Sequence, residues 1–209
     1  INPRCLKLLR VTTIDPIKIT TRTMTYKHYL DADQLLHDSF RLAHEVYSDG
    51  YRPTFIMALW RGGAPIGLPV QEYFAFRDIA TDHILIRTSS YEGIDNQART
   101  VRIFGLSYLV KNLSQEDRVL IVDDVYDTGR TIQSILQAMQ DKLKLNMPKE
   151  VRVAVPYYKP SRNETTRVPD YFLYESDQWL VYPHSIEGLS AEEIRDNKPG
   201  IYDILAGHL

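Results

Sequence analysis

The sequence predicts an α/β fold, a mostly parallel core sheet flanked by helices with a small C-terminal hood. Three observations predict it. Short runs of β-branched and aliphatic residues recur at 54–59, 83–88, 119–122 and 151–155, the pattern of strands buried on both faces of a parallel sheet. Two of these runs end in a tight small-residue loop that opens a helix, at 60–65 and 123–131. The loops that carry chemistry all follow strands, and open α/β sheets gather ligands at the carboxyl ends of their strands.

A length of 209 residues fits one domain, read as an N-terminal arm at 1–25, an α/β core at 26–160, and a hood with C-terminal helices at 161–209. The net charge of −2 offers no basic surface for nucleic acid. A single cysteine, Cys5, excludes an internal disulfide and suits a reducing compartment. No apolar run is long enough for a membrane span, and the N-terminus lacks a signal-peptide core, so a cytoplasmic location without membrane partners is expected.

Residues 1–25 show no periodicity. From Asp31 a helix is predicted, with Asp31 or Asp33 as cap and Leu36, Phe40, Ala43 and Tyr47 on its apolar face. His37 and His44 lie on it without a third metal ligand or an H-E-x-x-H pattern, so they read as surface or structural residues. Gly50 and Pro53 break the chain before the first central strand at 54–59. Trp60-Arg61-Gly62-Gly63-Ala64-Pro65 follows, then a helix with Ile66, Val70, Tyr73 and Phe74 apolar; Pro65 suits its first turn, and Arg61 with Gly62 reads as an anion site. After the strand at 83–88 the polar stretch 89–97, which contains Ser90 and Tyr91, is too long for a simple turn and reads as a lid loop.

The stretch 119–131 organises the rest. Four aliphatic residues lead into Asp123 and Asp124, then Asp127, then Thr128-Gly129-Arg130-Thr131 opening a helix whose Ile132, Ile135, Leu136, Met139 and Leu143 share a face. Free N–H groups, a helix dipole and two threonine hydroxyls suit a phosphate. The acids would repel that phosphate unless sugar hydroxyls or Mg²⁺ occupy them, so the combination points to a ribose phosphate, with Mg²⁺ at Asp123 and Asp124. No Walker A sequence and no G-x-G-x-x-G follows a strand. The strand at 151–155 leads to Lys159, a donor at a strand end; 161–168 is a polar loop. Runs at 170–174 and 179–183 read as strands of a second, smaller layer, and Ser190 with Glu193 fits a capping box before short terminal helices.

The hydrophobic run, two acids, two residues and Asp-Thr-Gly-x-Thr resemble the diphosphate-sugar signature of type I phosphoribosyltransferases. The similarity extends over about 54–185 in four blocks and is nearest to the hypoxanthine, guanine and xanthine enzymes. It implies that Asp123, Asp124, Thr128, Gly129, Arg130 and Thr131 bind 5-phosphoribosyl 1-diphosphate. It implies that Arg61 and Gly62, in a loop with a cis Trp60–Arg61 peptide, bind pyrophosphate. Lys159, Trp179 and Leu180 would hold the purine, Asp127 would act as general base, and Ser90 and Tyr91 would belong to a mobile loop. Mg²⁺, small-molecule substrates and a homodimer or homotetramer complete the expectation. One position departs from the pattern. Ser185 stands where relatives commonly carry an aspartate linked to the pyrophosphate-bound Mg²⁺, with Glu187 nearby. A nucleotide-sensing regulator of the same fold, or a transferase for another base, are the alternatives.

Overall fold

The computed structural model describes residues 27–92 and 99–207, with backbone alone at 89–92 and 99–102. The expected arm at 1–25 and most of the expected lid loop therefore lie outside the described residues. The elements in order are β1 (Lys27–Tyr29), α1 (Ala32–Ser48), β2 (Phe55–Trp60), α2 (Ala64–Phe76), β3 (Asp82–Glu92), β4 (Arg99–Phe104), α3 (Leu106–Asn112), β5 (Arg118–Val122) and β6 (Val125–Tyr126). They continue with α4 (Arg130–Leu143), β7 (Glu150–Tyr158), β8 (Tyr171–Glu175), β9 (Trp179–Val181), α5 (Ala191–Asn197) and α6 (Pro199–Leu205).

The main sheet runs β4-β3-β2-β5-β7, with β6 and β8 also paired to β7. Only β4 is antiparallel to its neighbour. Alternation along the strands builds two cores. Phe55, Met57, Leu59, Val119, Ile121, Val153 and Val155 pack against Ile132, Ile135 and Met139 of α4 and Leu109 of α3. Ile56, Leu120, Val122 and Ala154 face Leu42 and Val46 of α1 and Ile66, Val70 and Phe74 of α2. The helices thus cover both faces, which is why β2 and the 119–122 run of β5 carry only apolar residues.

Four expectations are corrected. The buried face of α1 carries Leu35, Asp38, Ser39, Leu42, Ala43 and Val46, whereas Leu36 and Phe40 are exposed. Two polar residues sit on the buried face because their bonds are met: Ser39 donates to Leu35 O at 2.7 Å, and Asp38 accepts from the Tyr174 hydroxyl at 2.9 Å. The stretch expected as a loop begins as strand: Ser90 and Tyr91 belong to β3, opposite Val101 and Thr100 of β4. Serine, threonine and tyrosine suit an edge hairpin, and their polarity did not prevent it. The run at 170–174 is not in a second layer, since β8 extends the main sheet beside β7. And β1, assigned to the core by its place in the chain, pairs in parallel with β9 in a separate two-stranded sheet.

Local signals held where they were complete. Asp31 caps α1 by accepting from Gln34 N at 3.0 Å. At α5 both arms of the capping box form, Glu193 N to Ser190 Oγ at 3.2 Å and Ser190 N to Glu193 Oε2 at 2.9 Å.

Candidate active site

The acidic pair sits where a strand pauses. β5 and β6 follow β7 in one register, Val122 opposite Ala154 and Val125 opposite Tyr157. In the gap, Asp123 N donates to Ala154 O at 3.3 Å and Asp124 N donates to Asp123 Oδ1 at 3.0 Å. The Tyr182 hydroxyl reaches across from the C-terminal segment to Asp124 O at 2.9 Å. Lost solvation, and then the Asp124 charge, push Asp123 well above the usual carboxylate range. Lost solvation raises Asp124 as well, against hydrogen bonds and the Lys159 charge that act to lower it. Two carboxyls that resist joint ionisation gain when hydroxyl donors or a cation arrive.

The arginine loop lies directly against this pair. A Cβ on Gly62 would fall 2.1 Å from Asp124 Oδ2, so only glycine permits the approach. The Trp60–Arg61 peptide is cis, as the family resemblance implies. Arg61, Gly62, Asp124, His184, Ser185 and Glu187 line a cavity of about 300 Å³, where the Arg61 guanidinium meets Glu187 at 2.8 Å. A second cavity, of about 210 Å³, is lined by Asp123, Asp124, Asp127, Thr128, Gly129 and Thr131. Asp124 is the wall common to both. A larger apolar groove of about 420 Å³ under α2, lined by Ala58, Leu68 and Leu85 among others, lies away from these groups.

At the mouth of α4, Gly129 takes φ +76°, and a Cβ there would meet Thr165 Oγ1 at 2.6 Å. Arg130 turns its side chain to Glu164, outside the cavity lining. Asp127 faces two cations: Arg162 Nε lies 2.8 Å from Oδ1, and Lys159 Nζ lies 3.8 Å from Oδ2. The Arg162 contact is close but misaligned, so buried Oδ1 accepts no hydrogen bond. Lys159 is only 6% exposed, its backbone N–H fixed on Tyr126 O at 2.9 Å.

The fold thus brings together Arg61, Gly62, Asp123, Asp124, Asp127, Thr128, Gly129, Thr131 and Lys159. It does not bring Trp179 and Leu180 to either cavity; Trp179 is 56% exposed on β9. The side chains of Ser90 and Tyr91 lie outside the described ones. Tyr182, His184 and Arg162 are neighbours that sequence reasoning missed, and Glu187, noted only as lying near Ser185, proves to be the partner of Arg61. For Arg162 a signal existed: Pro160, directly after the strand-end lysine, starts a 3₁₀ turn (Pro160–Arg162) whose Arg162 N donates back to Lys159 O at 3.2 Å.

Among the described residues no three histidine, cysteine or acidic side chains converge as a metal set. Two adjacent carboxylates still fit Mg²⁺, which takes one or two from protein and completes its shell with water and substrate oxygens.

The phosphoribosyl transferase domain family matches residues 25–187. The bifunctional protein PyrR of Roseiflexus sp. (strain RS-1) is 28% identical over 140 residues, 63% of this chain and 72% of the relative. The purine phosphoribosyltransferase of Pyrococcus horikoshii superposes with a TM-score of 0.59 at 26% identity, over 78% of this chain and 97% of that one. The xanthine-guanine-hypoxanthine phosphoribosyltransferase of Helicobacter pylori shares the fold at a TM-score of 0.57 and 17% identity, over 76% and 91% of the two chains.

Proposed function

The chain belongs to the phosphoribosyl transferase domain family, and from that premise we propose that it is a purine-salvage enzyme acting on a 6-oxopurine. It would move phosphoribosyl from 5-phosphoribosyl 1-diphosphate onto hypoxanthine, guanine or xanthine and release pyrophosphate. The observation that carries this reading is Asp124 as the shared wall of two cavities, one holding an arginine and the other a helix N-terminus. A sugar with a phosphate at one end and a diphosphate at the other needs two anion subsites flanking acceptors for its hydroxyls.

Each residue then has a task. The Thr128–Thr131 loop binds the 5′-phosphate through N–H groups, hydroxyls and the α4 dipole. Asp123 and Asp124 accept the ribose hydroxyls, and their charge favours the positive centre that develops at C1′ as N9 attacks. Arg61 exchanges Glu187 for the pyrophosphate. Lys159 donates to the 6-oxo group and Asp127 takes a proton near N7; the family resemblance alone gives Trp179 the stacking role and Leu180 the ring edge, from β9 outside both cavities. Proton transfer of this kind contributes roughly 10²–10⁴-fold, and positioning the remainder. Ser90 and Tyr91 would exclude water when their segment closes. Asp123 and Asp124 would hold Mg²⁺, which would supply charge neutralisation when bound. The partners are small molecules and a second copy in a homodimer or homotetramer, in the cytoplasm.

The test is incubation with 5-phosphoribosyl 1-diphosphate, Mg²⁺ and a panel of hypoxanthine, guanine, xanthine, adenine and uracil, with nucleotide detected by mass. A lysine ammonium is donor only, so adenine's amino group leaves it unpaired, and discrimination on the order of 10⁴ is expected. The ratio of kcat/KM for hypoxanthine over adenine should fall in Lys159→Ala. Adenine turnover within tenfold of the best 6-oxopurine would overturn the specificity. The second reading, a nucleotide-sensing regulator, is favoured by Ser185 and by the similarity to a bifunctional PyrR protein; nucleotide binding without product from any base would select it.

A further inference from the structure

We infer that Arg162 is a positioning residue that holds Asp127 away from Lys159, so that the empty site keeps an acceptor and a donor side by side for the purine. The inference rests on the purine-transfer reading and names a residue that reading does not use. It starts from register. Tyr126 pairs with Tyr158, so the next residues, Asp127 and Lys159, leave neighbouring strands together. A carboxylate and a nearly buried ammonium so placed should close to a hydrogen-bonded pair at about 2.7–2.9 Å. They stand 3.8 Å apart instead.

What competes for the carboxylate is Arg162, whose Nε lies 2.8 Å from Oδ1 on the far side. Because that contact is misaligned, Arg162 draws the carboxylate by charge without a hydrogen bond to the buried Oδ1. The turn Pro160–Arg162, with Arg162 N donating to Lys159 O at 3.2 Å, brings Arg162 back beside the strand end that carries Lys159. The nearby Arg130 cannot replace it, being engaged with Glu164, whose own N–H holds Thr128 O at 3.1 Å. Asp124 feels the Lys159 charge as well. The result is a separated pair: an ammonium placed to donate to a 6-oxo oxygen and, 3.8 Å away, a carboxylate oxygen, Oδ2, placed to accept a proton at N7. Without Arg162 the carboxylate closes on Lys159, and the base must break that pair to bind.

Calorimetric titration separates this from a merely structural role. 9-Deazainosine 5′-monophosphate, whose N7 carries a proton beside the 6-oxo group, reads the whole site; ribose 5-phosphate reads the phosphate loop and the acidic pair without the base; and neither requires turnover. Arg162→Gln should weaken 9-deazainosine 5′-monophosphate about five- to tenfold, the range for a half-exposed charge acting on a partly buried pair, and leave ribose 5-phosphate unchanged. Arg162→Lys should restore most of the loss. In an Asp127→Asn background, where no carboxylate remains to steer, Arg162→Gln should have no further effect. Unchanged 9-deazainosine 5′-monophosphate affinity in Arg162→Gln would overturn the inference, as would equal loss of both ligands or the same loss in the Asp127→Asn background. A wild type that binds ribose 5-phosphate but not 9-deazainosine 5′-monophosphate would overturn the purine reading and the inference with it.

Discussion

Asp127 and Asp123 look alike in the sequence and behave differently in the fold. Asp127 lies between two cations, Arg162 beside the buried Oδ1 and Lys159 toward Oδ2. Asp127→Asn should keep the fold and lower kcat by roughly 10²–10⁴-fold; a near wild-type kcat would remove it from the mechanism. Asp123 instead weighs on stability. Its folded state keeps the proton to a higher pH than the unfolded chain, whose carboxylates titrate near about 3.9. Between those two values the folded state binds more protons, so stability falls as pH rises. Asn stays neutral and avoids that loss. Metal-free Asp123→Asn should therefore melt above the wild type at pH 7–8, by about 2–4 °C for each kcal/mol gained, with the gap closing toward pH 4. A mutant that melts lower at pH 8 would contradict this assignment. The motif residues were legible because they are contiguous. Glu187 meets Arg61 from 126 residues away, and no local pattern encodes that.

At the scale of elements, periodicity located α1 but set its apolar face partly wrong: Ala43 is buried and Tyr47 packs on the core, while Leu36 and Phe40 are exposed. Leu35 and Leu36 are adjacent, so two leucine-bearing stripes compete, and Asp38 and Ser39 made the true one look polar. The structure sets Leu42 at 0% exposure and Leu36 at 47%. Leu42→Ala should cost about 2–5 kcal/mol by leaving a cavity between helix and sheet, while Leu36→Ala should stay within about 0.5 kcal/mol. Urea titrations of both variants decide it; comparable losses would restore the original face. The strand at 83–88 was foreseen, but its extension into a hairpin with β4, and α3, escaped the sequence reading. The alternation of charge and β-branched residues in Arg99–Phe104 is no stronger than in many loops, and pairing with β3 is what makes it a strand.

For the whole molecule, the two sheets differ in hold. The main sheet is packed on both faces. The β1–β9 pair has three residues a side, helped by Leu30 N to Val181 O at 2.9 Å and by Lys27 to Glu193 at 2.6 Å. So short a pair is marginal alone, and native-state hydrogen exchange should find the Leu30 amide opening well before Leu120 and Val122; equal protection would make the hood part of the cooperative core. The α/β class, the central strands, a cap at Asp31 or Asp33, the capping box at Ser190 and the acidic loop ahead of α4 could be read along the chain, because each is written in neighbouring residues whose spacing matches a backbone period. That β8 joins the main sheet, that β1 pairs with β9 outside it, which residues of α1 are buried, and that Arg162 and Glu187 stand against Asp127 and Arg61 emerged only in three dimensions. Those outcomes depend on contacts between distant segments, and a polar residue has the same letter whether its partner is water or a side chain a hundred residues on.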